Sequence, residues 1–206
     1  MNKYMIAAAA CAALASGAAV AQDFKAGDLL VRARAVRLNS DNGGATTPDL
    51  GLSINDKSIP EVDFTYFFDK HLAAELILTV PQKHTLYSKG SQIATLKHLP
   101  PTLTVQYHFD PVSGFKPYVG AGVNYTSFSS VNFAPAVVTA LNPSITKDSF
   151  GLALQVGVDY ELAKNLYLNL DVKKVQIGTE VKSNGTKIGD FKVDPLLVGV
   201  GLGWRF

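Results

Sequence analysis

The sequence predicts an all-β protein, specifically an eight-stranded antiparallel transmembrane β-barrel of the outer membrane. Three observations predict this fold: an export signal at the N-terminus, period-2 alternation of apolar residues in eight later segments, and connections of alternating length. Bacterial outer-membrane barrels combine these features, because their strands alternate apolar-out and polar-in and their periplasmic turns are short.

The composition narrows the possible functions. The chain has 206 residues, a formal net charge of +2 and 17% charged residues, against about 25% charged residues in soluble domains. A net charge near zero gives no reason to expect a nucleic-acid partner. Cys11 is the sole cysteine, which excludes a disulfide framework and a cysteine-based zinc site. We expect neither a metal nor a cofactor.

The first 21 residues predict a secretory signal peptide. A positive start with Lys3 precedes an apolar run rich in alanine, and Ala19-Val20-Ala21 is a typical cleavage site. We therefore expect residues 1–21 to be removed and residues 22–206 to form the barrel domain. A membrane anchor is disfavoured because the run is short and ends in small residues. Lipidation of Cys11 is disfavoured because too few residues precede it.

Eight segments alternate with the period of a β-strand. In residues 29–36, Val31, Ala33 and Ala35 lie on one face while Arg32 and Arg34 lie on the other. The remaining seven segments are residues 59–68, 72–80, 102–109, 117–128, 150–160, 166–172 and 196–206. The even count is the one that bacterial outer-membrane barrels require.

The connections indicate which rim faces which compartment. Residues 39–58, 81–99, 129–149 and 183–191 are long connections, whereas residues 68–71, 110–114 and 161–165 are short. Short turns predict the periplasmic rim, so both chain ends should lie there. Aromatic residues near the strand ends predict a girdle at the lipid interface: Tyr66, Phe68, Tyr107, Phe109, Tyr160, Trp204 and Phe206.

A secreted β-sandwich or a lipocalin-like barrel is the alternative, since apolar and polar residues also alternate along the strands of both folds. Their apolar faces point inward and fill a core with large residues. Here the polar series holds many glycines, including Gly120, Gly122 and Gly201, together with charged residues. Small residues suit the crowded lumen of a narrow barrel, which favours the membrane fold.

Several motifs resemble the outer membrane protein W (OmpW) family. They are residues 71–76 (HLAAEL) followed by Pro81 and His84, residues 99–109 (LPPTLTVQYHF), residues 116–125 (KPYVGAGVNY), and Asp194-Pro195 with the terminal Trp204-Arg205-Phe206. The resemblance implies an outer-membrane barrel of a Gram-negative bacterium. It also implies a passive channel for small hydrophobic molecules, with alkane-uptake proteins among its relatives. Residues 39–58 and 129–149 carry no matching motif, so the resemblance does not name the ligand.

Charged residues recur in the inward series. The basic members are Arg32, Arg34, Lys173 and Arg205, and the acidic members are Glu61, Asp63, Glu75, Asp159, Asp171 and Asp194. We expect these charges to pair across the lumen, because an unpaired buried charge is costly. An eight-stranded lumen holds side chains or one small ligand, which excludes a wide pore. The network then either stiffens the barrel, or blocks its periplasmic half so that an apolar solute leaves sideways into the bilayer.

The long loops carry apolar residues that predict a funnel for an apolar solute. The candidates are Leu52, Ile54, Phe133, Val137, Val138 and Leu141. These side chains could instead pack on one another and cap the barrel.

The sequence therefore favours passive uptake of small hydrophobic molecules, entering at the extracellular loops. The alternative is a receptor, an adhesin or a structural barrel that acts through its loops. An enzyme is not expected, because the four histidines are scattered and the chain lacks a Gly-x-Ser-x-Gly motif. His84 and His98 share a loop region, but two histidines without a placed carboxylate are a weak metal signal. The expected partners are outer-membrane lipid, a small hydrophobic solute and the barrel-assembly machinery, with Trp204 and Phe206 as the assembly signal.

Overall fold

The structure is a computed structural model that describes residues 23–206. The predicted signal peptide lies outside the described residues. In chain order the strands are β1 Leu29–Asn39, β2 Gly43–Thr46, β3 Leu52–Ile54, β4 Lys57–Phe67, β5 Leu72–Thr79, β6 Gln82–Ser88, β7 Ser91–Leu99, β8 Thr102–His108, β9 Phe115–Phe133, β10 Pro143–Ile145, β11 Asp148–Ala163, β12 Leu166–Val175, β13 Gly178–Ser183, β14 Thr186–Lys192 and β15 Leu196–Arg205. Helix α1, Pro135–Leu141, separates β9 from β10.

Eight of these strands close into an antiparallel barrel. The circular order is β1, β4, β5, β8, β9, β11, β12 and β15, and β15 pairs back onto β1. The Leu30↔Arg205 pair joins the last strand to the first near the chain ends. Each predicted segment forms one of these strands, so the predicted eight-stranded barrel is confirmed.

The apolar face of the barrel points outward. On β11, Leu154 is 63% exposed while Gln155 beside it is 5% exposed. The same alternation exposes Leu76, Val105 and Val200 on other strands. A soluble sandwich or lipocalin-like barrel would bury this face, so that alternative is wrong. The exposed belt is the surface that outer-membrane lipid covers.

Replacing Leu154 with Arg tests this facing. Leu154→Arg should destabilise the barrel by about 2–4 kcal/mol, because it places a charge on the lipid face in mid-strand. Gln155→Arg should cost less than half of that, since Gln155 Nε2 already lies 2.8 Å from an Asp171 carboxylate oxygen. Urea unfolding in liposomes measures both variants. Equal losses would mean that the two faces are assigned the wrong way round.

The predicted long loops are largely β-structure, and this differs from the expectation. Strands β6 and β7 form a hairpin whose turn residues Lys89 and Gly90 have φ of 46° and 84°. Strands β13 and β14 form a second hairpin, with Asn184 and Gly185 at φ of 49° and 79°. Positive φ at both central residues is the type I′ turn, which matches the twist of paired strands. The extracellular region is therefore a folded structure above the barrel.

The hairpins share one apolar cluster with the upper end of the barrel. Val36, Ile59 and Val175 of the barrel pack in the same cluster as Leu86 and Phe191 of the hairpins. The seven residues of α1 carry no buried side chain. Among residues 23–206, no helix is both long enough and apolar enough to cross a membrane. The larger of the two buried apolar clusters thus lies where the upper end of the barrel meets the extracellular hairpins.

Candidate functional site: an apolar cleft and cavity above a charge layer

An apolar cleft lies between α1, β3 and the two hairpins. It encloses about 530 Å³ of space not filled by atoms, including its mouth, and is lined almost entirely by aliphatic and aromatic residues. Leu52, Phe133, Val137 and Leu141, four of the predicted funnel residues, line it. The sequence identified these positions because a charge-free aliphatic stretch in an exposed loop needs an apolar partner.

The other two predicted funnel residues lie elsewhere. Ile54 is 4% exposed and packs inside the apolar cluster below the cleft. Val138 is 45% exposed and is not among the lining residues, which corrects its assignment. Consecutive residues of a helix point about 100° apart, so Val137 faces the cleft while Val138 faces solvent.

A second apolar cavity lies deeper, in the upper part of the barrel. It comprises about 380 Å³ of space not filled by atoms, part of it open to solvent, and is lined mainly by Leu38, Ile59, Ile77, Val175, Ile177 and Leu197. Glu61 and Lys173 also line it and mark the start of the charged interior below. Side chains of the apolar cluster at the top of the barrel line both this cavity and the cleft above.

The barrel wall beside the deeper cavity contains an unpaired stretch. The β5–β8 ladder ends at Ile77↔Thr102, and the β6–β7 ladder resumes at Gln82↔His98. Between these rungs, no ladder pair among the described residues joins residues 78–81 to residues 99–101. Pro81, Pro100 and Pro101 lie in this stretch, and proline has no N–H to donate to a ladder. We call this opening in the ladder the wall window.

The outward side of the wall window is apolar, and its inner side is formed by proline and threonine residues. Leu78 and Val80 are exposed on the outward face. On the inner side, Thr79, Pro100 and Thr102 line the deeper cavity. The Gln82 amide donates to the Val80 carbonyl at 2.6 Å, which satisfies one backbone group that the missing ladder leaves free. The window therefore adjoins the deeper apolar cavity on one side and lipid on the other.

A dense charge layer fills the lumen below that cavity. The Arg32 guanidinium donates to both Asp159 oxygens, at 3.0 and 2.7 Å, and to Asp63 at 3.0 Å. Arg34 lies 3.0 Å from Glu61 and 2.8 Å from Glu75. These side chains are buried, as expected of charges that are paired across a narrow lumen.

Lys173 completes the charge layer. Its Nζ lies 2.7 Å from Glu61 and 2.9 Å from Asp171. Arg34 lies 3.4 Å from the other oxygen of Asp171. The structure thus brings together eight of the ten charged residues predicted to face the lumen: Arg32, Arg34, Glu61, Asp63, Glu75, Asp159, Asp171 and Lys173.

The sequence reasoning missed several members of this layer. The Tyr118 hydroxyl donates to Asp171 at 2.9 Å and accepts from the Asn169 amide at 3.1 Å. Gln106 donates to Glu75 at 2.8 Å. The sequence does contain a signal for Tyr118: it lies two residues before the inward-facing Gly120, so the period-2 alternation places it on the inward face as well. A large aromatic fits there because Gly157 opposite it leaves room.

Two predicted network residues lie outside the charge layer. Arg205 lies near the periplasmic rim, where its guanidinium is 3.7 Å from Asp28 and donates to Asn165 at 3.1 Å. Asp194 lies at the opposite end, where its carboxylate accepts from the Ile177 backbone N–H at 2.9 Å. Alternation predicts which face a residue takes, but it does not predict the height at which charges meet.

The periplasmic mouth is closed by aromatic residues. Phe24 stacks on Phe67 at 4.1 Å between ring centroids, and Lys116 Nζ lies 4.2 Å from the Phe24 centroid. Tyr167 packs in the same buried cluster. Nearby on the outward surface, Trp204 and Phe206 are exposed at the end of β15, and their role as an assembly signal stays a prediction.

The described residues contain no cluster of metal-ligating side chains. Within residues 23–206, no three side chains of the His, Cys, Asp and Glu types are placed so that they could hold a metal ion. The geometry instead presents an apolar cleft, an apolar cavity and a window in the wall, all above a closed polar layer.

Comparison with known proteins decides the family. The model of the OmpW family matches residues 25–206. This chain belongs to the OmpW family. Outer membrane protein W of Escherichia coli is 36% identical, and the alignment covers 100% of both chains. An outer-membrane protein of Sinorhizobium fredii is 37% identical over 85% of this chain and 79% of its own length.

A solved structure agrees with the barrel. The crystal structure of the outer membrane protein OprG from Pseudomonas aeruginosa superposes with a TM-score of 0.77 at 30% identity, covering 89% of this chain and 98% of that chain. Members of the OmpW family are outer-membrane barrel proteins of Gram-negative bacteria, and this chain is one of them.

Proposed function

We propose that this OmpW-family barrel admits small hydrophobic molecules passively. The solute enters the apolar cleft from outside, passes through the apolar cluster into the deeper cavity and leaves through the wall window into the bilayer. The same proposal includes removal of residues 1–21 on export and recognition of Trp204 and Phe206 by the barrel-assembly machinery.

One observation carries the proposal: two apolar cavities lie above a closed charge layer, and the unpaired stretch of wall lies beside the lower cavity. An apolar solute gains about 25 cal/mol for each Å² that it hides from water in such cavities. It gains nothing from Arg32, Arg34 or Asp171, and separating those charges would leave them unpaired in a buried site. The sideways route is therefore favoured over a route through the whole lumen.

Serine substitutions in the cleft test this proposal. Phe133→Ser, Val137→Ser and Leu141→Ser together remove apolar contacts from the lining. If they cover about 60 Å² of solute, the loss is about 1.5 kcal/mol, which corresponds to an uptake rate lower by about tenfold. The measurement is arrival of a long-chain alkane or fatty-acid ester in proteoliposome bilayers.

Val138→Ser is the matched control, because it lies on the same helix but faces solvent. It should leave the uptake rate unchanged, and retained heat-modifiable migration on gels should show that both variants are folded. A triple variant that transports at the wild-type rate would contradict the proposal and favour a receptor or adhesin that acts through its extracellular surface.

A further inference from the structure

Two buried histidines lie where the cleft meets the wall window. His84 and His98 belong to the β6–β7 hairpin, and their ring centroids are 4.5 Å apart. Leu86 and Leu96, two residues further toward the hairpin turn, line the cleft. The Gln82↔His98 rung bounds the window. Neither histidine lines the cleft or the deeper cavity, but along the two strands the pair lies between residues that line the cleft and Thr79 and Pro100, which line the deeper cavity.

The pair carries unused hydrogen-bonding groups. Both side chains are almost fully buried. His84 Nδ1 lies 3.0 Å from the Asn55 carbonyl oxygen, so Nδ1 carries the hydrogen and Nε2 is a bare acceptor. His84 Nε2 and both ring nitrogens of His98 have no hydrogen-bond partner among the described residues. Buried polar groups are normally paired, so these three nitrogens indicate a missing partner.

The partner that fits is uncharged. Burial lowers the pKa of His98 to about 3, with smaller contributions from His84 and Lys57, and burial also lowers the pKa of His84. Both rings are therefore neutral at physiological pH. A metal cation is disfavoured, because no group of three ligating residues forms in the described chain and Lys57 adds positive charge nearby.

We propose that His84 and His98 recognise a hydroxyl group on an otherwise apolar solute. The solute O–H donates to His84 Nε2, and its oxygen accepts from the N–H of His98. A single oxygen reaches both rings at hydrogen-bond distances of about 2.8–3.0 Å when the rings are this close. This inference rests on the proposed function and adds a substrate class to it: a long-chain alcohol is preferred over the alkane of equal length.

The experiment compares 1-dodecanol with dodecane in proteoliposomes. His98→Phe should lower the uptake rate of the alcohol by about tenfold and change that of the alkane by less than about twofold. His98→Gln keeps a donor and an acceptor and should restore most of the loss. His71→Phe replaces a histidine in a periplasmic turn and should change neither rate.

Nitrogen-15 NMR of histidine-labelled protein in nanodiscs reports binding directly. Dodecanol should shift the ring signals of His84 and His98, dodecane should not, and His98→Phe should abolish the shift at His84. Equal effects of His98→Phe on alcohol and alkane would overturn the hydroxyl assignment. Binding of Zn²⁺ in the absence of any solute, if it depended on His98, would also overturn the hydroxyl assignment. If neither solute crosses faster than in protein-free liposomes, the proposed function itself fails.

Discussion

Arg34→Met should destabilise the folded barrel by about 3–5 kcal/mol, the range for breaking a buried ion pair by removing one partner. Arg34 is the cation that Glu61, Asp63, Glu75 and Asp171 share. Methionine fills similar volume but leaves these buried carboxylates with too little positive charge. Urea unfolding in liposomes measures the loss.

Arg37→Met is the matched control, because Arg37 lies three residues further along β1, on the opposite face of the strand, and is exposed. Its guanidinium is 3.5 Å from Asp56, and both side chains are 42% exposed or more. Exposed pairs of this kind are worth about 0–1 kcal/mol. Adding Glu75→Gln to Arg34→Met should recover part of the loss, since it removes one uncompensated charge. Equal losses for the two single variants would show that the charge layer does not stabilise the barrel.

Much of the barrel could be predicted from the sequence, because a strand with one face on lipid and the other on the lumen must alternate apolar and polar residues. Val31 and Arg32 cannot exchange faces without exposing a charge to lipid. The alternation does not show where a strand ends, since strands continue beyond the membrane. Strand β9 extends to Phe133, well past the predicted end at Phe128, because its upper part pairs with β7.

The extracellular structure was harder to predict, although one signal was present. Asn184-Gly185 is a typical hairpin dipeptide, and it lies inside the stretch 183–191 that the connection lengths alone predict to be a loop. The orientation of α1 could not be predicted from composition, because Val137 and Val138 are equally apolar and only packing distinguishes them. Likewise, the pairing of Arg32 with Asp159 joins residues 127 positions apart, which follows from barrel closure and not from local pattern.

Closing the wall window should stop release of an apolar solute into the bilayer. Thr79→Cys and Leu99→Cys place one thiol on each side of the window, and the chain's sole native cysteine is Cys11. A bis-maleimide with a cleavable disulfide can join them and later be opened by reduction. Leu76→Cys with Leu103→Cys is the matched control, because these residues face each other on the intact β5–β8 ladder.

The deciding measurement is the rate at which a pyrene-labelled fatty-acid ester, added outside, enters the bilayer of proteoliposomes. With the window crosslinked, we expect the rate to fall to that of protein-free liposomes and to recover after reduction, while the control crosslink leaves it unchanged. Transfer at the uncrosslinked rate through a crosslinked window would contradict the sideways route.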